Sequence, residues 1–419
     1  MNICVFGTTL QAGVLVGLFA EYGHHVYWCP QVGVEKQSSV HYQDEDLNQL
    51  IQKQIKNHAI ELVGVKQLQL HSEVFLFSFN PSEFDQAKKL AEELKRSPII
   101  HPKLMINGST FGLEGTETLK EILVADHWAY LPDTIQEGNA IQSFTGLKQV
   151  IIGVDHVTTQ PIVKELLRPF FQLKHQYLFM PFLDAEFTKL SISGMLATRI
   201  SYMNDMAQVA EKLNIDIQNV KQGLAADNRI GASYLSSGVG FGGENFSHDI
   251  LTLTGTVAGS GIKSQLLDQV WNINEQQKEI LFRKLWNYYQ GQLTGKIVAI
   301  WGASFKENTS SIENSPIHAM LAALWAQGAI VQLHDPQALE RVTDLYGERS
   351  DLILCHDQYQ AIENAHALCL LTAWKQYWSP DYTQLVQKMA HPFILDGRNI
   401  WDPEFVKGQG FAYQGVGRV

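Results

Sequence analysis

A chain of 419 residues is longer than one ordinary hydrophobic core supports, so two or three domains are expected. Hydrophobic residues make up 45% and charged residues 18%, the balance of a folded globular protein, which excludes wholesale disorder. The formal net charge of −11 argues against a nucleic-acid binder, because phosphate recognition needs concentrated Lys and Arg.

Met1 leads directly into the strand-like run Ile3-Cys4-Val5-Phe6, with no cationic segment and no cleavage site, so no signal peptide is expected. No run of about 18 apolar residues is present to span a membrane, and a cytoplasmic location is the expectation. The first ~150 residues alternate short β-branched or aromatic runs with amphipathic stretches. Ile3 to Phe6, His25 to Cys29, Val74 to Phe79 and Val150 to Val154 read as strands, and Asp85 to Lys95 and Thr116 to Val124 as helices. That alternation predicts parallel βαβ units in a doubly wound sheet.

From Ala185 to Gln290 the pattern becomes one of long helices, with helical periodicity over Ala185 to Leu213 and over Lys263 to Tyr289. The glycine-rich stretch Gly231 to Gly243 separates them, and the pair suggests a helical connector and an oligomer interface. At Gly295 the strand–helix alternation returns: Lys296 to Trp301, a helix over Ile317 to Gln327, then Ile330 to His334, Ala367 to Thr372 and Phe393 to Leu395. The expected class is α/β, two doubly wound parallel-sheet domains joined by a helical middle.

Cys4, Cys29, Cys355 and Cys369 show no CxxC spacing and read as buried thiols in a reducing compartment. The 15 histidines show no HExxH or similar pattern, so no metal site is expected. A dinucleotide turn needs G-x-G-x-x-G/A, whose second glycine lets the backbone approach a pyrophosphate. This chain has Gly7-Thr8-Thr9-Leu10-Gln11-Ala12, which places a β-branched side chain at the second glycine, and Pro30 follows the second strand where a ribose-binding acid belongs. Gly238, Gly240, Gly242 and Gly243 permit a loop whose amides face an anionic ligand, or else a plain flexible connector.

Several segments, in chain order, resemble the UDP-glucose/GDP-mannose dehydrogenase family. They are Asn2-Ile3-Cys4-Val5-Phe6-Gly7-Thr8; Asp227-Asn228-Arg229-Ile230-Gly231 leading into Gly238-Val239-Gly240-Phe241-Gly242-Gly243; Phe305-Lys306-Glu307-Asn308-Thr309 followed by Ser315-Pro316; and Asp396-Gly397-Arg398-Asn399-Ile400. The resemblance implies an N-terminal Rossmann domain for NAD over 1–182, a central helical dimerisation domain over 183–293 and a C-terminal Rossmann-like UDP-sugar domain over 294–419. It also implies oxidation of a sugar C6 alcohol to a carboxylate in two hydride transfers, the second through a thioester on a cysteine.

The segment that should read GFGG-x-C-x-x-KD is Gly240-Phe241-Gly242-Gly243-Glu244-Asn245-Phe246-Ser247-His248-Asp249. Asn245 stands at the cysteine position and His248 at the lysine position; an amide is not a nucleophile at neutral pH. Lys189 matches the family lysine that stabilises oxyanion charge, Ser193 replaces an asparagine, and Asp249 matches the aspartate that helps activate water. Lys189 also reads as an ordinary solvated helix lysine and Asp249 as a helix cap. Asp133 stands where the family has a glutamate, a change that can move a carboxylate by about 1 Å. Thr110, Glu137 and Asn204 match retained positions, the first two on the cofactor side with Gly7, Thr9 and Ala12. Glu313 replaces an arginine before the Ser-Pro pair. On the substrate side Gly238, Phe241, Gly242 and Gly243 match the glycine loop, Arg229 matches an arginine that reaches a neighbouring subunit's substrate, and Lys306 and Arg398 supply cations expected at a solvated cleft.

Three readings follow. The first is a divergent NAD-type oxidoreductase of UDP-sugars that cannot reach the acid through a thioester, with His248 available as a base. The alternative is an inactive relative that binds a UDP-sugar or an active paralogue. The third is a conventional four-electron dehydrogenase that uses a nucleophile other than a cysteine at position 245. The expected partners are a UDP-sugar and a second copy of the chain, with no nucleic acid and no membrane.

Overall fold

The computed structural model describes residues 1–31, 34, 38–65, 72–96, 102–262 and 265–418, and divides into two compact units, Met1–Ile192 and Ser193–Val419. In the first, the chain runs β1 (Asn2–Phe6), α1 (Leu10–Glu21), β2 (His25–Cys29), α2 (Glu45–Lys56), β3 (Ile60–Leu62), β4 (Val74–Phe77), α3 (Phe84–Arg96), β5 (Leu104–Asn107), α4 (Gly115–Ile122), β6 (His127–Tyr130), α5 (Ala140–Thr145), β7 (Val150–Val154), α6 (Thr159–Leu167) and β8 (Tyr177–Met180). Helix α7 (Phe182–Lys212) crosses the boundary. The second continues with α8 (Ile217–Ala226), α9 (Glu244–Gly259), α10 (Leu266–Gln277), α11 (Ile280–Tyr288), β9 (Ile297–Trp301), α12 (Pro316–Ala326), β10 (Ile330–His334), α13 (Leu339–Tyr346), β11 (Leu352–Leu354), β12 (Ala367–Leu370), α14 (Tyr382–Lys388), β13 (Phe393–Asp396), α15 (Pro403–Gly408) and β14 (Ala412–Gly415).

The N-terminal sheet has strand order β3-β2-β1-β4-β5-β6-β7-β8 and the C-terminal sheet β11-β10-β9-β12-β13-β14. In both, the chain winds outward one way and then restarts on the other side of its first strand, so a crevice is expected beyond the carboxyl ends of β1/β4 and of β9/β12. Strands β1, β4 and β9 are almost wholly buried, as the near-continuous apolar runs of a sheet covered on both faces require. The α/β expectation therefore holds for both sheets, with one difference. Strand β7 pairs antiparallel with β6, Ala129 opposite Val154 and Tyr130 opposite Gly153. The six-residue α5 covers only about 9 Å, too little to carry the chain back along a strand, so β7 begins near the carboxyl end of the sheet and runs the other way.

The helical expectation for Lys263 to Tyr289 is corrected: α10 and α11 are separate helices, broken at Lys278 and Glu279, and Lys263 lies outside the described residues. Helix α7 carries two stripes. Ala197, Ser201, Asn204 and Ala207 are fully buried, while Met195, Tyr202 and Val209 are exposed.

Candidate functional site

In the second unit, the pieces singled out in the sequence meet beyond the carboxyl ends of β9, β12 and β13. Strand β13 ends at Asp396, which is fully buried; its carboxylate accepts from the backbone of Arg398 and Trp401 and from the Tyr413 hydroxyl. Burial pushes the pKa of that carboxyl up. This turn aims Arg398 across the strand ends, where Nε donates to Leu371 O at 2.6 Å and Nη2 to Phe305 O at 3.1 Å. Arg398 is half-buried, and burial lowers its pKa, with Glu307 and Asp396 pulling the other way. The expectation of a solvated cleft cation is thus corrected for Arg398: it holds two loops together as well as presenting charge. Lys306 is half-exposed, with its ammonium 5.5 Å from the Phe305 ring centre.

Gly238 lies against this turn. A Cβ there would sit 2.8 Å from Gly397 O and 3.7 Å from Arg398 Nη1, so only a glycine lets the two backbones approach. The loop is held, not flexible. Gly238 N donates to Asn204 Oδ1 (2.8 Å), Phe241 N to Asn274 Oδ1 (2.8 Å) and Gly243 N to Glu313 O (2.8 Å). Gln277 Nε2 and Asn274 Nδ2 in turn donate to Gly238 O (2.7 Å) and Phe241 O (3.1 Å). Three amides of the expected anion nest are therefore already taken by the protein.

Ser315 explains the Ser-Pro pair. Its Oγ accepts from Ile317 N to cap α12, donates to Ala303 O at 2.7 Å, and Pro316 opens the helix without needing an N–H partner. Just before it, Asn314 accepts from the buried Lys278 ammonium (2.6 Å) and donates to Ser247 Oγ (2.8 Å), tying α10 and α12 to the first turns of α9.

Helix α9 starts at the N-cap Gly243, and Asn245 is exposed on its first turn. Asp249, one turn on, is buried, and its Oδ2 accepts from Ser193 Oγ at 2.7 Å. His248 Nδ1 is 3.3 Å from Thr252 Oγ. Burial lowers the pKa of the imidazole, against a smaller opposing effect of Asp249, so at neutral pH His248 is a proton acceptor and supplies no fixed positive charge. Asn245, His248, Asp249 and Ser193 are thus brought together. No thiol is available to replace the missing nucleophile: Cys4, Cys29, Cys355 and Cys369 are all buried, with burial pushing the Cys29 pKa up to about 12 and that of Cys355 to about 11. Arg229 stands apart on an exposed turn after α8, its guanidinium paired with Asp227 at 2.6 Å.

In the first unit, Gly7, Thr9 and Ala12 form the turn from β1 to α1, while Thr110, Asp133 and Glu137 follow the carboxyl ends of β5 and β6. Thr110 is buried, Glu137 is exposed, and Asp133 Oδ1 accepts from Ile135 N at 3.0 Å. Lys189 is half-buried on α7, one turn before Ser193. Gly7 has φ +106°, and a Cβ there would collide with the Ser78 carbonyl. Thr9 is the N-cap of α1, and its Oγ accepts from Ala12 N at 3.1 Å. These residues do not fit the NAD that the resemblance implies. The Thr9 side chain fills the place of backbone approach and consumes one helix-terminal amide, and buried Pro30 offers no carboxylate for a ribose.

Sequence reasoning missed Asn274, Gln277, Lys278 and Asn314. Each acts on backbone or side chains more than 30 residues away, which leaves no local pattern to read. Among the described residues there is no helix long and apolar enough to cross a membrane, and no His/Cys/Asp/Glu cluster that could hold a metal.

Comparison with known proteins agrees with this anatomy. The central-domain model of the UDP-glucose/GDP-mannose dehydrogenase family matches residues 183–276, and its UDP-binding-domain model matches residues 299–403. The structure superposes on that of a UDP-glucose dehydrogenase from the hyperthermophilic archaeon Pyrobaculum islandicum with a TM-score of 0.84 at 20% identity, covering 100% of this chain and 98% of the other. A UDP-D-ManNAc dehydrogenase from Pyrococcus horikoshii gives 0.83 at 19%, covering 100% and 99%. Those two likenesses carry the fold. A UDP-glucose 6-dehydrogenase of Pseudomonas aeruginosa is 34% identical over 349 residues, 79% of this chain and 75% of the relative. The chain belongs to the UDP-glucose/GDP-mannose dehydrogenase family.

Proposed function

We propose that the chain binds a UDP-sugar through its second unit and does not oxidise it to the acid. Of the readings open in the sequence, the binding one gains support from the N-terminal turn, because NAD, the cofactor expected of the family, has poor purchase there. The observation that carries the proposal is the convergence of Arg398, Gly238 and the Phe305-Lys306 pair at the ends of β9, β12 and β13. A guanidinium with two donors fixed on carbonyls keeps its remaining nitrogen for an anionic ligand at little entropic cost.

A ligand that binds only the folded state, present at 100 times its dissociation constant, adds about 2.7 kcal/mol of stability. For a unit of this size that corresponds to about 5–10 °C in melting temperature. Lys306→Ala is expected to shrink the shift without lowering the unliganded melting point. Arg398→Lys is expected to shrink it and lower the unliganded melting point as well, because the fork over Leu371 O and Phe305 O is lost. Melting curves unmoved by millimolar UDP, UDP-glucose and UDP-N-acetylglucosamine would remove the proposal.

The chain is also proposed to pair with a second copy through α7. Met195, Tyr202 and Val209 recur every seven residues and are 63%, 53% and 47% exposed, the spacing of a helix seam turned away from the core. Light scattering is expected to give twice the chain mass of 47.2 kDa, and the double variant Met195→Asp/Val209→Asp is expected to give the single mass. A wild-type protein that runs as a monomer at micromolar concentration contradicts this.

A further inference from the structure

In the N-terminal sheet the strand order puts the ligand crevice between β1 and β4, beyond their carboxyl ends. In this chain that crevice is crossed by buried side chains. Thr9 Oγ hydrogen-bonds Ser78 Oγ, Ser78 Oγ donates to Gln11 Oε1 at 3.2 Å, and Gln11 Nε2 donates to Leu131 O at 3.1 Å. The chain of bonds stitches the start of α1 to the ends of β4 and β6, and Gln11 and Ser78 are each only 1% exposed.

The β2 side is closed by two rings. Trp28 Nε1 donates to Gly7 O at 3.0 Å, and the Tyr42 hydroxyl donates to Thr9 O at 3.1 Å. The rings are stacked with centres 6.5 Å apart and planes 11° from parallel. The Tyr42 ring lies on Gly13, where any Cβ would overlap it, and the Asn48 side chain bonds both the N–H and the carbonyl of Tyr42. Trp28 is fully buried and Tyr42 nearly so.

We propose that the chain's own side chains occupy its dinucleotide crevice, Thr9 and Gln11 on the phosphate side and Trp28 with Tyr42 on the adenosine side. The N-terminal unit is then a closed support and not a cofactor carrier. This deepens the reading of the protein as a nucleotide-sugar binder without redox turnover, and rests on it. Ala12 N, Ser78, Gln11 and Tyr42 are paired from within, so admitting a pyrophosphate and ribose would strip these groups of buried partners.

The test uses the full chain with ADP-ribose and NAD as probes. Hydrogen exchange of residues 7–13 in the wild-type protein is expected to be unchanged by either probe at about 5 mM, a concentration that would half-fill even a weak site. The variant Thr9→Gly/Tyr42→Ala removes one element from each side, and glycine remains an acceptable helix cap. It is expected to gain at least about tenfold in affinity for ADP-ribose. Its circular dichroism and cooperative melting curve report whether the N-terminal unit is folded, and its melting shift with UDP, read separately, shows whether the UDP-sugar reading fails. Protection of residues 7–13 by either probe in the wild-type protein overturns the proposal, as does a folded double variant with no gain. If the double variant does not fold, the wild-type exchange experiment decides alone.

Discussion

Incubated with UDP-glucose and NAD, the protein is expected to form no UDP-glucuronate, and the Asn245→Cys variant is expected to form none either. The thioester route needs a thiolate, and deleting an enzymatic nucleophile costs about 10^4-fold or more in turnover. Restoring the thiol places it on the first turn of α9, where a helix N-terminus favours the thiolate, so nucleophilicity alone is repaired. The neighbouring His248 still carries no charge at neutral pH, Ser193 still stands where the family has an amide, and the β1–α1 turn remains filled by Thr9. Mass spectrometry showing steady acid production by the wild-type protein would sink the claim. Production by Asn245→Cys alone would show that the other departures are tolerated.

Replacing Asn274 by alanine is expected to be among the most damaging single changes in the second unit. Asn274 is fully buried, and its amide pairs with both the N–H and the carbonyl of Phe241. Without it two buried backbone groups lose their partners, at about 1–3 kcal/mol each, or ~2–6 kcal/mol together. That is a large share of the ~5–15 kcal/mol that holds a typical domain folded. Phe241 packs against Phe246 and Trp271, and its backbone leads through Gly242 and Gly243 into α9, so the UDP-induced melting shift should fall in parallel. Asn274→Asp keeps the acceptor and loses the donor, and is expected to cost less. A denaturation midpoint within about 0.5 kcal/mol of wild type for Asn274→Ala would show that the loop is held by other means.

The sheets were legible where strands are runs of β-branched and aromatic residues. Expectations for β1, β2, β9, β10 and β13 agree with the structure to within a residue at each end. The three-residue β3 and β11, and β14 with its sequence Ala-Tyr-Gln-Gly, carry too little pattern to read and are fixed by their neighbours in the sheet. Helix α9 was missed because it follows the glycine loop with no capping side chain, Gly243 itself standing at the cap. In the site, single-residue departures such as Asn245, Thr9 and Pro30 were visible against the motif they interrupt. What satisfies the loop's backbone was not, since Asn274 and Gln277 reach back 33 and 39 residues. Arg398 was legible as a cation but not as a brace, because the carbonyls it binds belong to Leu371 and Phe305 in other loops.

Because β7 runs against β6, the turn after it surfaces at the opposite edge of the sheet from the β1–α1 turn, a placement fixed by the contact between His127 and Thr159. Val157, in that turn, is 77% exposed. A cysteine placed at Val157 therefore offers an attachment point for a fluorophore or a surface tether, remote from the carboxyl ends of β1, β5 and β6. With the four native thiols buried, maleimide labelling there should be selective without first removing them.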